Sequence, residues 1–176
     1  VFNWRKFNEK RKRIQSNSPL TKSRLKEKNL KKSLNHFNKN GDVHMVDVGE
    51  KDNSSRQAIA RGEIQMSGET LSLIVNGNAA KGDVLGTARL AGIMAAKNTS
   101  NLIPLCHPIN LTNVSIELEP IENANKVEIT ASVKCMGKTG VEMEALTAVN
   151  VTALTIYDMV KSADKNMKIS NIRLIL

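Results

Sequence analysis

The chain predicts an α+β fold, an antiparallel sheet with two main helices packed on one face. Three observations carry that prediction. Residues 113–119 and 126–135 alternate, with Val114, Ile116 and Leu118, then Val127, Ile129, Ala131 and Val133 on one side, so they read as two strands around a turn at 122–125 (ENAN). Residues 138–161 (KTGVEMEALTAVNVTALTIYDMVK) carry no Pro or Gly after Gly140 and repeat Met143, Leu146, Val149, Ala153, Ile156, Tyr157 and Val160 at helical spacing. The order along the chain is strand, helix, strand, strand, helix, strand, after one extra N-terminal strand segment.

Taken in order, residues 1–40 hold 13 Lys/Arg against 2 Asp/Glu, whereas 41–176 hold 13 against 15, so the net charge of +9 belongs to the tail. Rich in Lys, Asn and Ser and without apolar periodicity, the tail reads as disorder or linker. It opens on Val rather than Met, as a fragment or processed product does. A nucleic-acid arm, an organelle-targeting remnant or a join to an upstream domain are the functional alternatives, and sparse aromatic interleaving weighs against nucleic acid. The folded domain begins at 41. Residues 41–49 (GDVHMVDVG) are extended, and Asp47 among them reads either as a buried carboxylate or as a turn-facing one. Residues 56–66 form a strand whose Arg56 faces a cleft or water, and 69–75 a short amphipathic helix ending near Asn76-Gly77.

Residues 81–97 (KGDVLGTARLAGIMAAK) form a helix with Asp83 as N-cap, and Gly86, Ala88, Ala91, Gly92, Ala95 and Ala96 permit close approach of another element. Residues 101–108 (NLIPLCHP) cross irregularly between two prolines, and 168–176 alternate as the last strand. This order of elements is that of ferredoxin-like domains. Outside the tail Tyr157 is the single aromatic residue, so the core is aliphatic. Cys106 and Cys135 lack a metal-ligand spacing and read as buried thiols in a reducing compartment. No apolar run reaches transmembrane length and no signal-peptide core is visible.

Chemistry concentrates on the long helix. Thr139 is placed to cap it and Gly140 to give it a sharp start. So apolar a helix calls for burial on most sides, yet it carries Glu142 and Glu144 at one end and Asp158 and Lys161 at the other, charges that are costly to bury unless paired or used. Asp158 and Lys161 are three apart and able to pair. Glu144 and Asp158 point the same way but lie about 21 Å apart along the axis at the usual rise per residue. Antiparallel pairing with a symmetry mate would bring Glu144 of one copy near Asp158 of the other, at a two-fold interface. Lys81, at a helix start, suits a phosphate, and His107 in its Pro-flanked setting suits an acid/base or ligand role.

Four stretches, MVDVG at 45–49, KGDVLGTARLAGIMAAK at 81–97, LIPLCHP at 102–108 and the whole of 138–161, closely resemble the MoaC family, the cyclic pyranopterin monophosphate synthases of molybdenum-cofactor biosynthesis. The resemblance covers residues 41–176. It implies a lyase that rearranges 3′,8-cyclo-7,8-dihydro-GTP into the pyranopterin, closing a cyclic phosphate and releasing pyrophosphate. It implies Asp158 as the active-site aspartate, Lys161 as its partner, and Lys81 as a pocket lysine. Substrate contacts fall on Leu105, Cys106, His107, Met143 and Glu144, with Glu142, Arg56, Lys97 and Asp47 as further polar positions around the cleft.

The family further implies a homo-oligomer with interfacial sites, a hexamer built as a trimer of dimers, and a functional link to the radical enzyme that makes its substrate. No cofactor is required; magnesium could accompany the triphosphate. Lys161 would stay protonated beside Asp158 by Coulomb attraction, or become a neutral base by desolvation, and the sequence leaves both open. Arg56, Lys81 and Lys97 are the cations available to the triphosphate. Family members continue into a Gly-rich basic tail resembling KSGGKSGDF, and this chain ends at Leu176 before it. The expectation is a chain that folds but turns over poorly; a catalytically weak oligomerisation partner of a complete copy, or a nucleic-acid binder through the tail, are the rival readings. A mitochondrial matrix setting is expected from the basic tail, and a cytoplasmic one if the source is bacterial.

Overall fold

The computed structural model describes residues 42–176, and the readings placed on 1–41 lie outside that range. Four strands form one antiparallel sheet: β1 (Ser54–Gln65), β2 (Leu111–Ile121), β3 (Lys126–Gly137) and β4 (Lys168–Leu174), in the order β2-β3-β1-β4. Between β1 and β2 run α1 (Gly68–Val75), α2 (Val84–Lys97) and the four-residue α3 (Thr99–Leu102); between β3 and β4 runs α4 (Glu142–Val160). This is the ferredoxin-like arrangement that the element order predicts, with α1 and α3 added to the first crossover.

Strand alternation sorts the side chains by face. Ala58, Ala60 and Ile64 of β1 and Val127, Ile129, Ala131, Val133 and Cys135 of β3 are buried under the helices. The opposite face is polar and its groups pair with one another: Gln57 with Ser132 at 3.2 Å, Arg61 with Thr130 at 3.3 Å, and Glu63 with Lys126 at 2.9 Å. Glu63 also accepts from Asn171 and Ser170, so this buried carboxylate is fully satisfied, and the Lys126 hydrogen bond foremost holds its pKa below the usual range. The outer strands are β2 and β4.

The two long helices pack on each other as well as on the sheet. α2 starts where Asp83 accepts the Gly86 amide at 2.9 Å, as the sequence predicts. Its small residues meet α4 so closely that Thr152 and the Ala148 carbonyl of α4, with Ile116 of β2, fill the space a side chain at Gly92 would need. The start of α4 differs from expectation. Its N-cap is Val141, which makes no side-chain capping bond, and Thr139 stands two residues before it. Glu142 and Glu144 instead place negative charge in the first turn, where the helix dipole favours it. The burial of α4 also departs from expectation. One stripe is buried, while Leu154 on the other side is 56 % exposed.

The expected N-terminal strand segment is absent among the described residues. Residues 42–48 carry only an isolated bridge at Val43 before a turn at Gly49-Glu50. Asp47 is exposed and accepts the Gly49 amide at 2.8 Å, which settles its two readings in favour of the turn. Lys138 fastens this segment by donating to the Gly49 carbonyl.

The packing at Gly92 gives a stability test. Gly92→Ala has no room to relax, because one obstructing atom is helix backbone, so overpacking of about 2 kcal/mol or more is expected. The melting temperature should fall by roughly 6 °C or more. Gly137→Ala, whose new methyl meets only Cys135 Sγ at 3.4 Å, should melt within about 2 °C of the wild type. Equal melting of the two variants would refute the tight helix crossing.

Candidate active site

Antiparallel packing of α2 on α4 delivers Lys81, just before α2, to the last turn of α4. Lys81 Nζ donates to Asp158 Oδ2 and to the Asp158 carbonyl, both at 2.9 Å. Lys161 Nζ donates to the other carboxylate oxygen, Oδ1, at 2.6 Å. Each oxygen of Asp158 thus holds one ammonium, and the two hydrogen bonds, Lys161 first and Lys81 second, depress its pKa to about 2. The hydrogen bond to the same carboxylate, with its charge second, raises the pKa of Lys161 and prevails over desolvation, so Lys161 is an ammonium. The expected burial of this end of the helix is corrected: Asp158 is 56 % exposed and both lysines are about half exposed. Exposed ion pairs add little stability. Two cations sharing one anion leave a net positive, solvent-open grip with spare N–H donors, which suits an anionic substrate.

The other end of α4 lines a cleft of about 230 Å³. Leu105, Cys106 and His107 of the Pro-flanked crossing form one wall, and Glu142, Met143 and Glu144 of the first turn of α4 the other. The two carboxylates are two residues apart, about 200° around the helix, and so face different surroundings. Glu142 is exposed. Glu144 is 4 % exposed, and burial foremost pushes its pKa up, with the nearby charge of Glu142 adding to it. Burial likewise raises both thiols, Cys106 and Cys135, each also feeling Glu144. Burial at Glu144 and exposure at Glu142 give the two carboxylates different surroundings, the separation that lets paired carboxylates play different roles.

The remaining sequence candidates fall apart from these two groups. Arg56 lies on the helix-covered face, paired in register with Cys135, and its Nε is buried without a hydrogen-bond partner. Lys97 ends α2 and lines a separate apolar groove with Met94, Leu102 and Val151. Asp47 is spent on its turn, yet its neighbours Val46 and Val48 reach the cleft. Lys51, Ile109, Thr139 and Gly140 also line it and were not among the candidates. Of these, Thr139 and Gly140 carried a signal, as the expected cap and sharp entry of the acidic helix start. Among the described residues no group of three or more His, Cys, Asp or Glu is arranged to hold a metal ion.

A ferredoxin-like α+β domain with a lysine-clasped aspartate at one end of its long helix and an acidic, His-lined cleft at the other defines a class of domain equipped for acid–base work on an anionic ligand. The model of the MoaC family matches residues 45–176, which include every member of both groups. Proteins named cyclic pyranopterin monophosphate synthase from Brucella ovis, Brucella canis and Brucella abortus are each 60 % identical over 142 residues, covering 81 % of this chain and 86 % of theirs. The chain belongs to the MoaC family.

Burial of Glu144 has a sign that can be read in melting curves. Its folded pKa is raised, so ionising it costs stability, and the cost sets in as pH rises above the unfolded value near 4.5. Glu144→Gln removes that cost. Its melting temperature relative to the wild type should therefore be higher at pH 8 than at pH 5, by about 3 °C. A pH-independent difference would show that burial does not raise the Glu144 pKa.

Proposed function

We propose that the chain is a cyclic pyranopterin monophosphate synthase, a lyase of molybdenum-cofactor biosynthesis that converts 3′,8-cyclo-7,8-dihydro-GTP to the pyranopterin and pyrophosphate. The observation that carries this reading is the clasp of Asp158 by Lys81 and Lys161, in a chain 60 % identical to relatives of that name. Opening the guanine-derived ring and rebuilding it requires repeated proton transfers. The Lys161 ammonium is suited to donate one, and the exposed carboxylate of Glu142 and the imidazole of His107 to accept them. Closing the cyclic phosphate forms a bond from a sugar hydroxyl oxygen to the α-phosphorus and breaks the bond to pyrophosphate. The hydroxyl proton goes to a neighbouring base, and the charge on the departing group is met by Lys81. Magnesium, where it takes part, comes with the triphosphate.

The two groups lie about 21 Å apart along α4 in one copy, too far to serve one small molecule. We therefore favour a homo-oligomer in which Asp158, Lys81 and Lys161 of one copy face His107, Glu142, Met143 and Glu144 of another. The helix layer supports such an association: Leu90, Met94, Leu102 and Leu154 are exposed apolar residues, and a groove of about 680 Å³ runs beside Met94 and Val151. A hexamer of three such dimers is the assembly proposed, supplied by the radical enzyme that forms the cyclised nucleotide. The Brucella relatives favour a bacterial cytoplasmic setting over the mitochondrial matrix. Among the described residues no helix is long and apolar enough to cross a membrane.

Purified chain incubated with 3′,8-cyclo-7,8-dihydro-GTP should release pyrophosphate and form the pyranopterin. Asp158→Ala and Glu144→Ala should each lose about a hundredfold or more in kcat/KM. Mixing the two inactive variants under conditions of subunit exchange should restore activity towards one quarter of the wild type. No product from the wild type would refute the activity; product without rescue in the mixture would refute the shared site.

A further inference from the structure

We infer that Gly140 is a positioning residue: the place of its missing side chain is where the Glu142 carboxylate lies, and this vacancy sets that carboxylate at the rim of the His107 cleft. The reaction it would serve rests on the reading proposed above; the geometry does not. The left-handed region, which favours glycine, is occupied at Gly77 and Gly82 but not at Gly140, so its backbone would accept an ordinary residue. The demand is for room. A Cβ at 140 would stand 2.5 Å from Glu142 Cδ and closer still to both carboxylate oxygens, with no other heavy atom as its nearest neighbours.

Among the described residues nothing else holds this carboxylate. Glu142 makes no hydrogen bond or ion pair with any of them, whereas Asp83, which fills the corresponding space at Gly86, is anchored by the Gly86 amide at 2.9 Å. The chain turns from β3 into α4 across 138–141, and the Glu142 side chain folds back over that turn. Gly140 and Glu142 both line the cleft with Cys106, His107 and Glu144. Among the described residues, shape therefore chooses the Glu142 rotamer. An alanine at 140 would displace a flexible chain end rather than backbone, which is cheap for folding and direct in its effect on the site.

The test is a cycle of four full chains: wild type, Gly140→Ala, Glu142→Ala and the double variant, assayed with 3′,8-cyclo-7,8-dihydro-GTP. Gly140→Ala should melt within about 2 °C of the wild type. It should lose about tenfold or more in kcat with KM changed less than about threefold, as expected when a group acting in the chemical step is misplaced. In the Glu142→Ala background the glycine substitution should cost nothing further, because the group it displaces is gone. Multiplying losses, or a wild-type rate for Gly140→Ala, would overturn the inference. Crystal structures of the wild type and Gly140→Ala give a readout independent of turnover: the carboxylate should leave the space over residue 140 while the backbone stays, and an unmoved carboxylate overturns the inference whatever the assay. Should Gly140→Ala misfold, the double variant should fold, since the collision is removed; failure of the double to fold would equally overturn it.

Discussion

Everything in this domain that concerns chemistry depends on how closely α2 lies against α4. With no side chain at Gly92, Thr152 and the Ala148 carbonyl sit in the space one would fill, and the helix axes approach accordingly. The two helices run in opposite directions, so close contact in their middles fixes what meets at their ends. At one end Lys81 reaches Asp158; at the other the irregular 101–108 crossing is laid beside the first turn of α4. Small residues in the layer thus act at a distance on two polar groups that they do not touch. Overpacking the crossing would misplace a lysine more than ten residues away.

The two ends of α4 manage charge by different means. At Asp158 water remains, and the carboxylate is kept ionised by two ammonium groups rather than by its surroundings. At Glu144 water is excluded and, among the described residues, no cation offsets the burial, so the pKa is pushed up. One helix therefore presents a fixed anion wrapped in positive charge and, some 14 residues earlier, an acid of adjustable protonation. Such a division of labour needs no unusual backbone. It follows from which side of the helix a residue faces and from what the neighbouring element leaves uncovered.

Much of the architecture was legible because aliphatic alternation and helical spacing dominate the chain. The strands expected at 126–135 and 168–176 appear at Lys126–Gly137 and Lys168–Leu174, and the helix start at Asp83 is where the capping residue places it. The errors have local causes. Thr139 looked like a cap, but the chain needs two further residues to turn over the sheet before α4 can begin. The 41–49 run has strand-like composition, yet among the described residues 42–49 carry only a bridge at Val43 and are held by Asp47 and Lys138 instead. The Asp158–Lys161 pair was legible from a spacing of three, but the Lys81–Asp158 pair was not: those residues are 77 apart, and only topology joins them. The exposure of Asp158 was missed because its apolar neighbours on α4 face elsewhere. Arg56, expected to face a cleft or water, lies instead on the helix-covered face with its Nε buried, which no pattern in the chain announces.

The margins of the sheet have a consequence of their own. Strand β2 carries Glu117, Glu119 and Pro120, and β4 carries Lys168 and Arg173. Charge on both borders, with an imino acid on one, discourages a foreign strand from docking and extending the ladder, the usual route to fibrils. The protein is therefore guarded against open-ended stacking, and contacts between molecules are left to side-chain surfaces that can close on themselves and stop.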